Sequence, residues 1–152
     1  MQRHGWILLF HECILEQLRK LESAAERAQR NDPQSYQGNA NVKLFRALSQ
    51  LLLEVIPRDP GRGEYRQGNT LGPAHRHWRR AKVGRRFRLF FRYDTRSRTI
   101  VFAWINDEQT LRSSGSKSDP YAVFEKILPR GNPPDDWESL VAASRSGWLK
   151  KE

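Results

Sequence analysis

Cysteine is almost missing from this chain: Cys13 is the only one in 152 residues. A single thiol forms no intramolecular disulfide framework and no cysteine-rich zinc site, so the fold must be held by its apolar core. Histidine is scarce as well, and the four residues at positions 4, 11, 75 and 77 have no spacing that makes a metal cluster on its own. We therefore expect neither metal nor cofactor. Long apolar runs are lacking too. Trp6 to Phe10 meets His11 and Glu12 at once and is too short for a secretory core or a bilayer span. A cytoplasmic location is expected, with no membrane partner. At 38 % hydrophobic residues, the chain is long enough for one domain with a packed interior.

The most telling shortage is local. Between Arg62 and Arg98, twelve Lys or Arg residues meet only two acids, Glu64 and Asp94. That surplus equals the net charge of +10, so the rest of the chain is balanced. A solvated face would mix its signs. Ten of the twelve cations fall between Arg76 and Arg98, mixed with Trp78, Phe87, Phe90, Phe91 and Tyr93. Guanidinium forks match phosphates and rings stack on bases, so the mixture points to nucleic acid. A membrane-surface role fits poorly, because the segment alternates as strands and not as an amphipathic helix.

Trp6–Phe10 is a buried strand by its continuous apolar run. From Glu12, Ile14, Leu15, Leu18, Leu21, Ala25 and Ala28 share one helical face. Asn31-Asp32-Pro33 should end that helix and open a second, with Val42, Leu44, Phe45, Leu48, Leu51, Leu52 and Val55 inward, closing before Pro57. Arg58–Gly72 is a loop with a brief strand near Tyr65. The period then becomes two: Trp78–Val83, Phe87–Asp94 and Thr99–Asn106 make an antiparallel meander, the last alternating Val101, Ala103 and Ile105 with Ile100, Phe102 and Trp104. Asp119-Pro120 caps another helix that stops near Arg130-Gly131, and a short segment runs from Trp137 to Ala143. Ser144–Glu152 should fray. The order β-α-α-β-β-β-α, with a short C-terminal helix, predicts one α+β domain over 1–152, its core about 5–143. A helical hairpin should pack on an antiparallel sheet.

Alternation sets Arg80 and Lys82 on one face with Trp78, and Arg88, Phe90 and Arg92 on one face of the next strand. The side bearing Phe87, Leu89, Phe91 and Tyr93 is the natural seat for the helices. The other side is expected as an open basic face with Phe90 at its centre. Arg79 and Arg86 flank it. His75, His77 and Glu108 are reserves for proton transfer, since each sits in a loop or at a strand end.

Several segments resemble the YhaV toxin family of the RelE/ParE superfamily. They are Gly5-Trp6; Asn31-Asp32-Pro33 with Tyr36-Gln37; Trp78 with Arg80, Lys82 and Gly84; and Arg86 through Tyr93. Further on come Trp104 with Asn106-Asp107-Glu108, Thr110-Leu111-Arg112, Tyr121 with Val123-Phe124, and Pro133-Pro134 with Asp136-Trp137-Glu138. The resemblance runs from about Gly5 to Leu140. It implies a single RelE-like domain acting as a ribosome-associated endoribonuclease on mRNA. A PrlF-like antitoxin would silence it, and the pair would repress its own operator DNA. It also implies cleavage by Arg80, Lys82, Arg88, Arg112 and Tyr121, through metal-independent attack of the RNA 2′-hydroxyl. Arg79, Arg92, Phe90, Trp78, Arg86 and His77 would hold RNA. Two other readings remain open: the gyrase-poisoning branch of the superfamily, and a non-catalytic RNA-binding module.

Overall fold

The computed structural model describes residues 1–147. Its centre is a six-stranded sheet of β1 (Gln2–Arg3), β2 (Trp6–His11), β3 (Arg79–Val83), β4 (Phe87–Asp94), β5 (Thr99–Ile105) and β6 (Ser144–Arg145). The order is β1-β2-β5-β4-β3, with β6 also on β2. The meander pairs antiparallel, as its short turns require. β2 lies parallel to β5, because α1 (Glu12–Asn31) and α2 (Ala40–Gln50) carry the chain away between them. The sheet is thus mostly antiparallel with one parallel pair, and the domain is α+β.

The helical hairpin covers one face. Ile14, Leu15 and Leu18 of α1 and Leu48 of α2 meet Leu89, Phe91, Ile100, Phe102 and Ile105 in the larger core. His11 begins α1, its Nδ1 accepting from the Cys13 N–H at 3.1 Å. Asp32 follows α1 but does not open the second helix. Asn39 does, its Oδ1 accepting from the N–H groups of Asn41 at 2.9 Å and Val42 at 3.3 Å. Nor does Pro57 stop the helix beforehand. After α2 the winding widens to a π segment at Leu51–Val55, which gives the proline ring room, and α3 (Ile56–Arg58) carries Pro57 into its last turn.

The opposite face is not open. α4 (Pro120–Ile127) and α5 (Trp137–Ala142) lie over it and build a second core from Trp78, Phe90, Val101, Ala103, Phe124, Leu128 and Leu140. Phe90 stacks on Phe124 with ring centres 4.3 Å apart and planes 7° from parallel. The expected exposed basic face centred on Phe90 is therefore corrected: Phe90 and Trp78 are fully buried. β5 explains why. It is apolar on both sides from Ile100 onward, and such a strand needs cover above and below.

Strict alternation also fails once along β5. Phe90 pairs with Trp104 but Phe91 with Phe102, which leaves Ala103 as the extra residue of a bulge. Trp104 then joins Ala103 at the second core, and Ile105 joins Phe102 in the first. The C-terminal segment, expected to fray, instead adds β6: Ser144 pairs with His11 and Arg145 with Phe10. The remainder of that expected tail, 148–152, lies outside the described residues.

Candidate active site

The register of β3 on β4 sets Arg80 opposite Phe90 and Lys82 opposite Arg88, so Arg80, Lys82 and Arg88 share one face of the sheet. Lys82 is exposed and Arg80 half-buried, whereas Arg88 keeps only 7 % of its surface in solvent. Arg88 folds back on its own hairpin, one guanidinium nitrogen donating to the carbonyls of Arg85 at 3.0 Å and Phe87 at 2.8 Å. Arg80 donates to the Arg66 carbonyl at 3.1 Å. In both arginines the Nε–H is buried and has no partner. Among the described residues, none of the three cations is ion-paired with a carboxylate. One buried and one half-buried guanidinium group, each with an Nε–H to spare and no counter-charge, make a strong anion attractor.

Arg112 reaches the same end of the sheet from the loop after β5. Its N–H donates to the Arg86 carbonyl at 2.9 Å, and Arg86 Nε donates back to the Arg112 carbonyl at 3.3 Å. Among the described residues, Arg112 is the one candidate arginine or lysine with an acid partner: it donates to Asp119 Oδ1 at 2.6 Å, while its guanidinium lies 4.7 Å over the Tyr121 ring. Asp119 is buried and also accepts from the N–H groups of Ser113 and Tyr121, which starts α4. Tyr121 is buried too, edge-on to Phe90 at 5.5 Å. Thr70, Arg112, Ser116, Asp119, Tyr121 and Glu125 line an open cleft of about 320 Å³.

One residue quoted only as part of a motif joins the two halves. Asn106 is buried at the end of β5. Its Oδ1 accepts from the Arg88 N–H at 2.8 Å, and its Nδ2 donates to the carbonyls of Arg86 at 3.0 Å and Thr110 at 2.7 Å. It thereby fixes the strand bearing Arg88 against the loop bearing Arg112. Sequence reasoning also missed Asp119 as anything beyond a cap.

The remaining candidates scatter. Arg79 pairs with Phe91 on the hairpin side of the sheet, where its guanidinium sits 5.6 Å over Tyr93. Arg92 is wedged between the Trp78 and Trp137 rings and donates to the Asp135 carbonyl at 2.6 Å, and burial lowers its pKa. Phe90 and Trp78, expected to stack on bases, belong to the second core and present no ring to solvent. Glu108 is exposed and lines a different groove, of about 550 Å³, beside α1. His75 and His77 converge on Asp135, a residue not singled out in the sequence. For Asp135, burial alone would raise the pKa. Hydrogen bonds from Trp78 and His77, with the charges of His77 and His75, outweigh it and hold the carboxyl below its ordinary value.

Fold and site together define a small α+β domain whose sheet end carries an arginine-lined, anion-attracting site. The family model described as "Toxin with endonuclease activity, of toxin-antitoxin system" matches residues 8–145, and the chain belongs to this YhaV toxin family. It is 42 % identical over 140 residues to "Toxin YhaV" of Escherichia coli O6:H1, covering 91 % of each chain. It is 41 % identical over 140 residues to "Ribonuclease toxin YhaV" of Escherichia coli K12, again over 91 % of each. No solved structure matches the chain significantly. The protein is thus a toxin with endonuclease activity, of a toxin–antitoxin system.

Proposed function

We propose that the substrate is RNA, cut on the ribosome without a metal, and that Arg80, Lys82, Arg88, Arg112 and Tyr121 carry the cleavage. The 2′-hydroxyl oxygen attacks the adjacent phosphorus, its proton leaves to a base, and the bond from phosphorus to the 5′-oxygen breaks as that oxygen takes up a proton. The products are a cyclic 2′,3′-phosphate and a free 5′-hydroxyl. Negative charge grows on the phosphorane oxygens, and fixed guanidinium donors there lower the barrier without reorganising. Arg88 and Arg112 suit that task, Arg80 binds the flanking phosphate, and the exposed Lys82 amine moves a proton. Tyr121 already has Arg112 over its ring, so its role is to hold that guanidinium in place.

The observation that carries this reading is the pair of guanidinium groups of Arg88, buried, and Arg80, half-buried, on one sheet face, each with a buried Nε–H left without a partner and neither ion-paired. A PrlF-like antitoxin silences the toxin and brings the pair to operator DNA. The ribosome supplies substrate geometry, a contribution that reaches several kcal/mol in positioned reactions.

The test compares wild type, Arg88→Ala and Lys82→Ala on mRNA, with ribosomes in magnesium buffer and without ribosomes in a chelating buffer. Loss of a transition-state donor should slow cleavage about 10²–10³-fold with RNA binding largely kept. Full activity in Arg88→Ala would remove Arg88 from the chemistry. Intact transcripts beside broken chromosomal DNA in induced cells would favour the gyrase-poisoning reading.

A further inference from the structure

The convergence of His75, His77 and Asp135 is used by nothing above. His75 Nδ1 lies 3.2 Å and His77 Nε2 2.9 Å from the same carboxylate oxygen, Asp135 Oδ1. Trp78 Nε1 donates to that oxygen as well, at 2.6 Å. One carboxylate oxygen offers about two lone pairs, and three nitrogens crowd it. The two imidazole nitrogens and the carboxylate all lie within 4.8 Å of one another.

We propose that these three side chains bind a divalent transition ion of the zinc class. A tetrahedral zinc with bonds of about 2.0–2.1 Å holds its ligand atoms about 3.3 Å apart, so the two nitrogen–oxygen spacings need only a slight opening, and the two imidazole nitrogens, within 4.8 Å of each other, need only side-chain rotation to match it. Two imidazoles and one carboxylate are a ligand set that zinc accepts, and three protein ligands leave a fourth position for water. His77 and Asp135 are each about a third exposed, which gives the ion a way in. The indole N–H of the buried Trp78 remains on the carboxylate as an outer partner that fixes its orientation. On binding, the nitrogens that face Asp135 present lone pairs, and in a neutral ring the proton sits on the other nitrogen. The ligands come from two distant stretches of chain, the loop before β3 and the segment before α5. Zinc therefore staples the C-terminal segment to the sheet. The proposal is independent of the cleavage chemistry.

The test uses untagged, full-length, chelator-stripped protein. Titration calorimetry at pH 7.5 should show one zinc per chain, weakened about tenfold or more in Asp135→Asn, which still offers Trp78 an acceptor. Zinc should raise the melting temperature of wild type only. Cobalt(II) bound to wild type should show tetrahedral ligand-field absorption without a sulfur charge-transfer band, and His77→Gln should abolish it. No stoichiometric binding, equal binding by wild type and Asp135→Asn, or a sulfur band pointing to Cys13 would each overturn the proposal.

Discussion

Replacing Asn106 by aspartate changes one NH₂ group to an oxygen, yet the structure makes it a costly substitution. The acceptor for the Arg88 N–H survives. The donor side does not: a carboxylate oxygen would face the carbonyls of Arg86 and Thr110, now 3.0 and 2.7 Å from Nδ2. Each of the two lost bonds is worth about 1 kcal/mol; the Arg86 carbonyl keeps the Arg112 N–H, but the Thr110 carbonyl is left bare at about 1–3 kcal/mol, with repulsion added. The expected loss is about 3–5 kcal/mol, which for a domain of this size is about 10 °C in melting temperature. Asn106→Ala loses all three bonds and also bares the Arg88 N–H but brings no repulsion, so it should cost about as much as Asn106→Asp. Urea unfolding at pH 7.5 gives the two free energies, and cleavage at a temperature where both variants are folded shows whether Arg88 and Arg112 still act together. An Asn106→Asp variant within about 1 kcal/mol of wild type would refute the clamp.

Three further outcomes follow from the packing and the titrations. Phe90→Ala should lose about 3–5 kcal/mol, because Phe90 is a core ring against Phe124; an unchanged unfolding curve would restore it to the surface. Burial, aided by Glu16 and Glu12, pushes the Cys13 thiol up to about 11 from an ordinary 9.0. Iodoacetamide at pH 8 should therefore modify it about a hundredfold more slowly than a free thiol, and labelling at the free-thiol rate would contradict that environment. Burial lowers the His11 pKa despite Glu12 and Glu16, so the unfolded chain binds the proton more readily. Its stabilising contribution is complete above about pH 6.5 and fades as pH falls through the lower folded value, so stability should decline from pH 7.5 to 5.5. His11→Asn, which keeps a cap, should flatten that slope; an unchanged slope would place the titration elsewhere.

The elements were legible where one period ruled. The 87–94 strand and the start of the first helix follow from alternation and from the Ile14, Leu15, Leu18 stripe. The shared face of Arg80, Lys82 and Arg88 followed from the same counting. What escaped was set by distant partners. Phe90 looked like an exposed ring because its own strand alternates with arginines, and the helix that covers it lies some thirty residues later. The signal was present in β5, whose two apolar faces call for two coverings. A bulge at Ala103 has no local signature, so Trp104 and Ile105 were placed on the wrong sides. Asp135 meets His75 and His77 only through the fold, and loop residues so far apart carry no period to join them.

β2 is the first long strand to be made and among the last to be completed. Beside the two-residue β1, its neighbours are Thr99–Phe102 on one edge and Ser144–Arg145 on the other, so most of its ladder waits for chain that is synthesised much later. Contacts this remote in sequence are slow to form. During translation, then, the cations of β3 and β4 emerge before the strand that braces them and before the Asn106 clamp or the covering helices exist. A partly made chain carries the charge of the toxin without its geometry, and assembly of the proposed cutting site coincides with closure of the fold.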